Sequence, residues 1–167
     1  MIRIGLLSDT HGYFDPGIAG HFKECHEIWH AGDIGDQEVI DRLSRIAPVV
    51  AVHGNIDGYP LRSAFPSSHR HFREGVDIWM THIGGYPGNY DARVKTEISE
   101  NPPDLFITGH SHILKVMPDK KHGLLHMNPG AAGRFGLHKV RTILRFEIAS
   151  GKIDHVDVIE LGSRYAG

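Results

Sequence analysis

Two short runs near opposite ends of the chain carry paired side chains able to hold a metal. Ser8-Asp9-Thr10-His11 offers a carboxylate and an imidazole one residue apart, and Gly109-His110-Ser111-His112 offers two imidazoles at the same spacing. Each run follows an apolar stretch, residues 2–7 in the first case and 105–107 in the second. In an extended segment residues i and i+2 point to the same side, so each pair is predicted to aim at one point. Between the two runs come Gly32-Asp33, Gly54-Asn55 and Thr81-His82. Together Asp9, His11, Asp33, Asn55, His82, His110 and His112 supply oxygen and imidazole donors enough for two divalent cations. Taken singly, Asp-x-His reads as a turn aspartate beside a surface histidine, and Gly-Asp and Gly-Asn read as turn signals. The weight lies in their conjunction, because each motif follows a predicted strand.

Those strands can be read from periodicity. Residues 1–7 form a short β-branched apolar run bounded by Ser-Asp, which predicts a buried strand. Ile18, Phe22 and Cys25 have helical spacing. Residues 27–31 predict a second strand ending at Gly32-Asp33. Residues 36–47 predict an amphipathic helix, with Val39, Ile40, Leu43 and Ile46 on one face, Asp36 as N-cap and Pro48 as the stop. Residues 49–53 predict a third strand ending at Gly54-Asn55. Strand–helix–strand–helix–strand with fully apolar strands implies a parallel sheet with right-handed crossovers. Ligand sites in such sheets gather past the carboxyl ends of the strands, where these motifs fall.

Further along, residues 56–70 read as irregular. Residues 70–73 and 76–81 predict a hairpin that ends at His82. Residues 84–88 predict a turn-rich loop, residues 90–100 a helix stopped by Pro102-Pro103, and residues 104–108 the strand that delivers His110 and His112. Residues 114–117, 123–127, 141–148 and 152–159 predict four antiparallel strands, with turns at Pro118-Asp119, Asn128-Pro129-Gly130 and Ser150-Gly151. The expectation is a mixed α/β fold with one largely parallel and one largely antiparallel sheet. With 167 residues and no linker or repeat, residues 1–167 are expected to form one domain.

Composition narrows the function classes. The lone Cys25 rules out an internal disulfide and fits a reducing compartment. The first residues lack a secretory pattern, and no apolar stretch has the length of a membrane span. The expected setting is therefore soluble and cytoplasmic, with no membrane partner. A formal charge of −2 gives no basic footprint for long nucleic acid. Fourteen histidines invite a metal hypothesis.

Taken in order, the motifs Asp9-Thr10-His11-Gly12, Gly32-Asp33, Gly54-Asn55, Thr81-His82, Gly109-His110-Ser111-His112 and Asn128-Pro129-Gly130 resemble the calcineurin-like metallophosphoesterase superfamily. The likeness is to its small bacterial and archaeal phosphodiesterase branch and spans nearly the whole chain. The resemblance implies a four-layer α-β-β-α sandwich with two mixed sheets and a metal site at the carboxyl ends of the strands. It also implies one cation on Asp9, His11, Asp33 and His112, a second on Asp33, Asn55, His82 and His110, and Asp33 as the bridge. A bridging carboxylate suits two cations roughly 3.5–4 Å apart. Mixed imidazole, carboxylate and amide donors suit Mn, the preferred metal here, with Fe, Co, Ni or Zn as alternatives. The expected reaction is in-line attack on phosphorus of a small phosphoester by a metal-bridging hydroxide, with Asp33, Asn55 and His82 as the catalytic set.

One position departs from larger relatives, which place a histidine directly after Gly-Asn as leaving-group acid. This chain has Ile56 there, followed by Asp57. That predicts a preference for diesters or activated leaving groups. Asp57 reads as a turn residue, since acid duty would need a strongly raised pKa. His30 and His53 read as core residues or as supports of ligands. His21, His26, His69, His71, His122, His138 and His155 are expected at the surface, and His126 is left undecided near Asn128. Arg134 reads as a loop arginine with substrate phosphate as the alternative contact, and Tyr86 and Tyr90 as flanks of a substrate wall.

Two competing classes make different demands on the sequence. A scaffold of the same fold, like the retromer subunit, should show gaps in the ligand set, and this chain has none. A metallo-β-lactamase type hydrolase would need a compact His-x-His-x-Asp-His run, which is absent. Pairing of the last strand across a homo-oligomer remains open to the geometry.

Overall fold

The computed structural model describes residues 1–165. Strands and helices alternate at the start: β1 Ile2–Leu7, α1 Gly17–Phe22, β2 Glu27–His30, α2 Gln37–Ser44 and β3 Val49–Ala51. There follow α3 Leu61–Ala64, the hairpin β4 Ser68–Arg73 and β5 Val76–Thr81, and a small hairpin of β6 Gly85–Tyr86 and β7 Asn89–Tyr90. The chain continues through α4 Lys95–Glu100, β8 Leu105–Ile107, β9 Lys115–Asp119, β10 Leu124–Asn128, β11 Val140–Ala149 and β12 Lys152–Ser163.

Two five-stranded sheets result, in the orders β12-β11-β1-β2-β3 and β4-β5-β8-β10-β9. Both are mixed. In the first, β1, β2 and β3 are parallel, β11 runs antiparallel to β1, and β12 runs antiparallel to β11. In the second, β5, β8 and β10 are parallel and the edge strands β4 and β9 are antiparallel. The expectation of one largely parallel and one largely antiparallel sheet is thereby corrected. The four late strands form two antiparallel hairpins, but β9–β10 joins the second sheet through β8 and β11–β12 joins the first through β1. Local patterning specifies each hairpin, and the partner across it is a tertiary choice.

Packing sorts the apolar residues into three layers of core. Ile4, Leu6, Trp29, Leu144 and Phe146 of the first sheet meet Ile78, Met80, Leu105, Ile107 and Met127 of the second in a sandwiched core. On the outer face of the first sheet, Ile18, Phe22, Val39, Ile40 and Leu43 of α1 and α2 cover Leu7, Ile28 and Ile143. On the outer face of the second, Ile98 of α4 packs with Trp79, Tyr90, Phe106 and Leu124. The order of layers is helix, sheet, sheet, helix, the four-layer sandwich expected above. Cys25 is buried in the second of these cores.

Differences from the expected elements have local causes. Asp36 caps α2 as predicted, its carboxylate accepting from the Glu38 N–H. The helix expected over 90–100 begins only at Lys95, because Tyr90 pairs with Gly85 and the Asp91 N–H bonds to the Gly84 carbonyl. Pro118 lies inside β9 rather than in a turn, where an edge strand tolerates its missing donor. In β12 the alternation shifts near His155, where the register against β11 slips between Arg145 and Glu147.

A candidate metal centre at the carboxyl ends of both sheets

Every motif lies just past a parallel strand: Asp9 after β1, Asp33 after β2, Asn55 after β3, His82 after β5, and His110 and His112 after β8. The two sheets present these ends to the same edge of the sandwich. Three hydrogen bonds fix them together, one within the second sheet and two across the sheets. The Gly109 N–H donates to the His82 carbonyl at 3.0 Å. The His110 N–H donates to Asp9 Oδ2 at 3.0 Å, and His82 Nδ1 donates to the Ala31 carbonyl at 2.7 Å.

The pairs converge by a route other than the extended one expected. Asp9, His11, Asp33, His110 and His112 all have positive φ, between 46° and 71°. For residues with a Cβ this left-handed region is strained and rare, and it concentrates at functional sites. Tight turns, rather than strand pleat, therefore aim these side chains.

Two groups of donors form. Asp9, His11 and His112 make one and Asp33, His82 and His110 the other, with ligand atoms within 4.8 Å of one another in each. The groups touch, since His11 Nε2 is 3.5 Å from Asp33 Oδ2 and His82 Nε2 is 3.9 Å from Asp9 Oδ1. Each carboxylate is anchored by one oxygen. Asp9 Oδ2 accepts from the Ser8 hydroxyl as well as from His110, and Asp33 Oδ1 accepts from the Ile56 N–H. The other oxygens face imidazoles, with His112 Nε2 3.1 Å from Asp9 Oδ1 and His82 Nε2 3.2 Å from Asp33 Oδ2.

The chemistry of this donor set fits divalent cations. Asp9 Oδ1, His11 Nε2 and His82 Nε2 are buried and make no hydrogen bond. Because His82 Nδ1 donates to a carbonyl, its Nε2 carries a lone pair toward Asp33 unless the ring is protonated. Lone pairs facing lone pairs in a buried site call for a positive charge between them. Protonation equilibria report the same demand. Burial pushes the Asp9 carboxyl up, but the rings of His11 and His112 outweigh it and hold Asp9 well below the usual carboxylate range. Burial likewise works against a charged His82, yet the Asp33 and Asp9 carboxylates raise its pKa. His110, facing His82 and partly desolvated, is shifted down.

Asn55 is exposed on the turn over Asp33 and shares a cavity wall with His82. Gly54 is fixed there by close approach, because a Cβ would lie 2.0 Å from Asp33 Oδ1. Asp57 has a larger role than a turn aspartate. It is 4% exposed and accepts from the N–H groups of Ile34, Gly35 and Gly54, tying the loops after β2 and β3 together. Ile56 is 47% exposed and offers the site only its backbone N–H.

The sequence left the supporting roles of Asn128, Phe135 and His138 unassigned, whereas His30 and His53 read there as core residues or supports. Asn128 donates to the Gly109 carbonyl and to Ser111 Oγ, which shapes the turn of the two histidines. Its place at a strand end before Pro129-Gly130 was the available signal. Buried His30 bonds Thr10 Oγ1 through Nε2 and takes the Gly32 N–H on Nδ1, so it braces the loops of Asp9 and Asp33. His53 is engaged by the Phe65 carbonyl and Arg62. Phe135 stacks on His11 at 4.9 Å, and His138 meets His112 edge-on at 5.3 Å. His138 is thus half-buried beside the site rather than on an open surface. His21, His69, His71 and His122 are also half-buried, and His26 and His155 are exposed. Arg134 stacks over Tyr13. Tyr86 and Tyr90 both line the cavity beside His110, and buried Tyr90 donates its hydroxyl to Asp119.

The fold and the converging donors together define a metallophosphoesterase-like α/β sandwich. The calcineurin-like phosphoesterase superfamily domain matches residues 2–151, and the chain belongs to that family. Among curated proteins, a probable metallophosphoesterase of Methanocaldococcus jannaschii is 32% identical over 136 residues, covering 77% of this chain and 67% of the relative. Among solved structures, one described as a novel archaeal phosphodiesterase superposes with a TM-score of 0.70 at 21% identity, over 95% of this chain and 99% of the other. Vps29 from Entamoeba histolytica complexed with zinc superposes with a TM-score of 0.72 at 17% identity, over 96% of this chain and all of the other. These two likenesses are of fold.

Proposed function

We propose that this chain is a dinuclear metal-dependent phosphodiesterase acting on a small phosphodiester. Its observational basis is the convergence of Asp9 Oδ1, His11 Nε2 and His82 Nε2, which are buried and unpartnered beside Asp33, His110 and His112. One cation is assigned to Asp9, His11, Asp33 and His112, and the second to Asp33, Asn55, His82 and His110. When bound, the two cations supply Lewis acidity toward phosphoryl oxygens and lower the pKa of water to about 7.

The chain's own contribution is placement. Ser8 and the His110 N–H hold Asp9, the Ile56 N–H holds Asp33, and Ala31 fixes the tautomer of His82. Such groups need no reorganisation as charge builds on the phosphoryl oxygens. Ile56 provides no proton donor, which supports diesters or activated leaving groups over alkyl monoesters. A scaffold role is the weaker reading, because a donor-type residue stands at every one of the expected positions. Mn is the preferred metal, the compartment is cytoplasmic, and residues 1–167 work as one domain.

The decisive test is hydrolysis of bis(p-nitrophenyl) phosphate by metal-stripped protein titrated with Mn²⁺, beside His112→Ala. Turnover should appear with metal and collapse in the variant. A folded protein inactive with Mn²⁺, Co²⁺, Ni²⁺ and Zn²⁺ would end this reading.

A further inference from the structure

Beside the donor cluster, on the His110 side, lies a cavity of about 470 Å³. The β6–β7 hairpin, the Gly109–Ser111 turn and the start of β9 form its walls. The residue leading into the hairpin lies tight on β8, since a Cβ at Gly84 would sit 2.7 Å from the Phe106 ring. The volume falls in the range of small-molecule sites.

His126, on β10, lines this cavity and is 0% exposed. Its Nδ1 is 3.1 Å from the Phe106 carbonyl. A carbonyl only accepts, so Nδ1 carries the proton and Nε2 is a lone pair. That Nε2 is buried and makes no hydrogen bond. Burial also pushes the ring pKa down to about 4, so it stays neutral at pH 7. A buried acceptor left without a donor is costly, and a ligand that brings one relieves the cost. The remaining wall selects the donor. Arg93 and Lys115 stand there against Asp91 alone, with Arg93 3.7 Å from Asp91 and Lys115 4.1 Å over the Tyr86 ring. An excess of positive charge disfavours an ammonium, so the donor is a neutral group, and a hydroxyl is the simplest that an ester substituent carries.

We propose that this cavity receives a hydroxyl-bearing substituent of the phosphodiester, and that His126 Nε2 accepts a hydrogen bond from that hydroxyl. The assignment rests on the phosphodiesterase reading, because a phosphoryl group held near His110 would place one ester substituent in this cavity. An aryl or alkyl substituent without a hydroxyl leaves Nε2 unpaired, and sites built to pair a polar group discriminate against analogues that lack it.

The test compares 3-hydroxypropyl 4-nitrophenyl phosphate with propyl 4-nitrophenyl phosphate, using the Mn²⁺-loaded protein. Both release the same nitrophenolate. Wild type should favour the hydroxyl substrate by about tenfold in kcat/KM. His126→Phe should abolish that preference through the hydroxyl substrate alone, and His126→Gln, which keeps an acceptor, should retain part of it. Equal kcat/KM values in wild type would overturn the proposal even if no variant folds. Equal losses on both substrates in folded His126→Phe would overturn it too. If neither diester turns over with any metal, the phosphodiesterase reading fails on its own. The ¹⁵N shift of His126 Nε2 on adding 3-hydroxypropyl methylphosphonate then decides the present inference. Movement toward a hydrogen-bonded value supports it, and an unmoved resonance ends it.

Discussion

His82 Nε2 lies 3.2 Å from Asp33 Oδ2, and neither atom can turn away. The opposite ring nitrogen is tied to the Ala31 carbonyl, and the other carboxylate oxygen is tied to the Ile56 N–H. A residue from the second sheet thus faces one from the first across the sandwich edge. A site anchored on both sides resists relaxation, so changes to either partner should appear in ligand binding before they appear in the fold.

For His82→Ala we therefore expect loss of one of two bound Mn²⁺ ions and a fall in kcat of at least about 100-fold. The protein should stay folded. Metal analysis after dialysis, with circular dichroism as the folding control, reads both. Retention of two ions would remove His82 from the ligand set.

Gly54→Ala tests close approach. The added Cβ would stand 2.0 Å from Asp33 Oδ1 and 2.3 Å from the Asp33 backbone nitrogen. Backbone must move, and overpacking of this kind costs about 1–3 kcal/mol. Urea unfolding should show that loss, and calorimetric titration with Mn²⁺ should show weakened binding. An unchanged isotherm would mean that the loop moves without carrying Asp33.

Asp57→Ala removes the acceptor for three backbone donors, those of Ile34, Gly35 and Gly54. Buried donors left unpaired cost about 1–3 kcal/mol, and bonds to a charged acceptor lie at the upper end. We expect about 3 kcal/mol of lost stability in urea unfolding, together with weaker Mn²⁺ binding. Stability within about 0.5 kcal/mol of wild type would return Asp57 to the role of a simple turn residue.

Acid should destabilise the metal-free protein through two buried rings. Burial pushes His30 and His126 down to about 4, below the ordinary 6.5. Between those values the unfolded chain binds protons that the folded one excludes, so stability rises with pH across the window. The contribution is fully present above about 6.5 and is lost as pH falls toward 4. Urea unfolding from pH 7 to 4 should show the decline, and His126→Phe should make it shallower, with His30 carrying the remainder. A profile of unchanged slope in that variant would show that His126 titrates normally.

The sequence by itself determined the strands, their order and the loops that carry chemistry. Period-two and fully apolar runs encode β1, β2, β3, β5 and β8, and each donor motif follows its strand within a few residues. Such features are local, so spacing alone reveals them. Tertiary structure decided the rest. The left-handed backbone at Asp9, His11, Asp33, His110 and His112 is braced by long-range bonds, among them the Asp9 N–H on the Gly32 carbonyl, the His11 N–H on the Asp33 carbonyl and the Asn128 amide on the Gly109 carbonyl, and no local propensity predicts it. The clamp by Asp57, the brace by His30 and the buried lone pair of His126 depend on partners roughly 20 residues or more distant in the chain. The division of the late hairpins between two sheets depends on β1 and β8, far upstream of each. Long-range hydrogen bonds and packing set those features, and one-dimensional periodicity does not encode them.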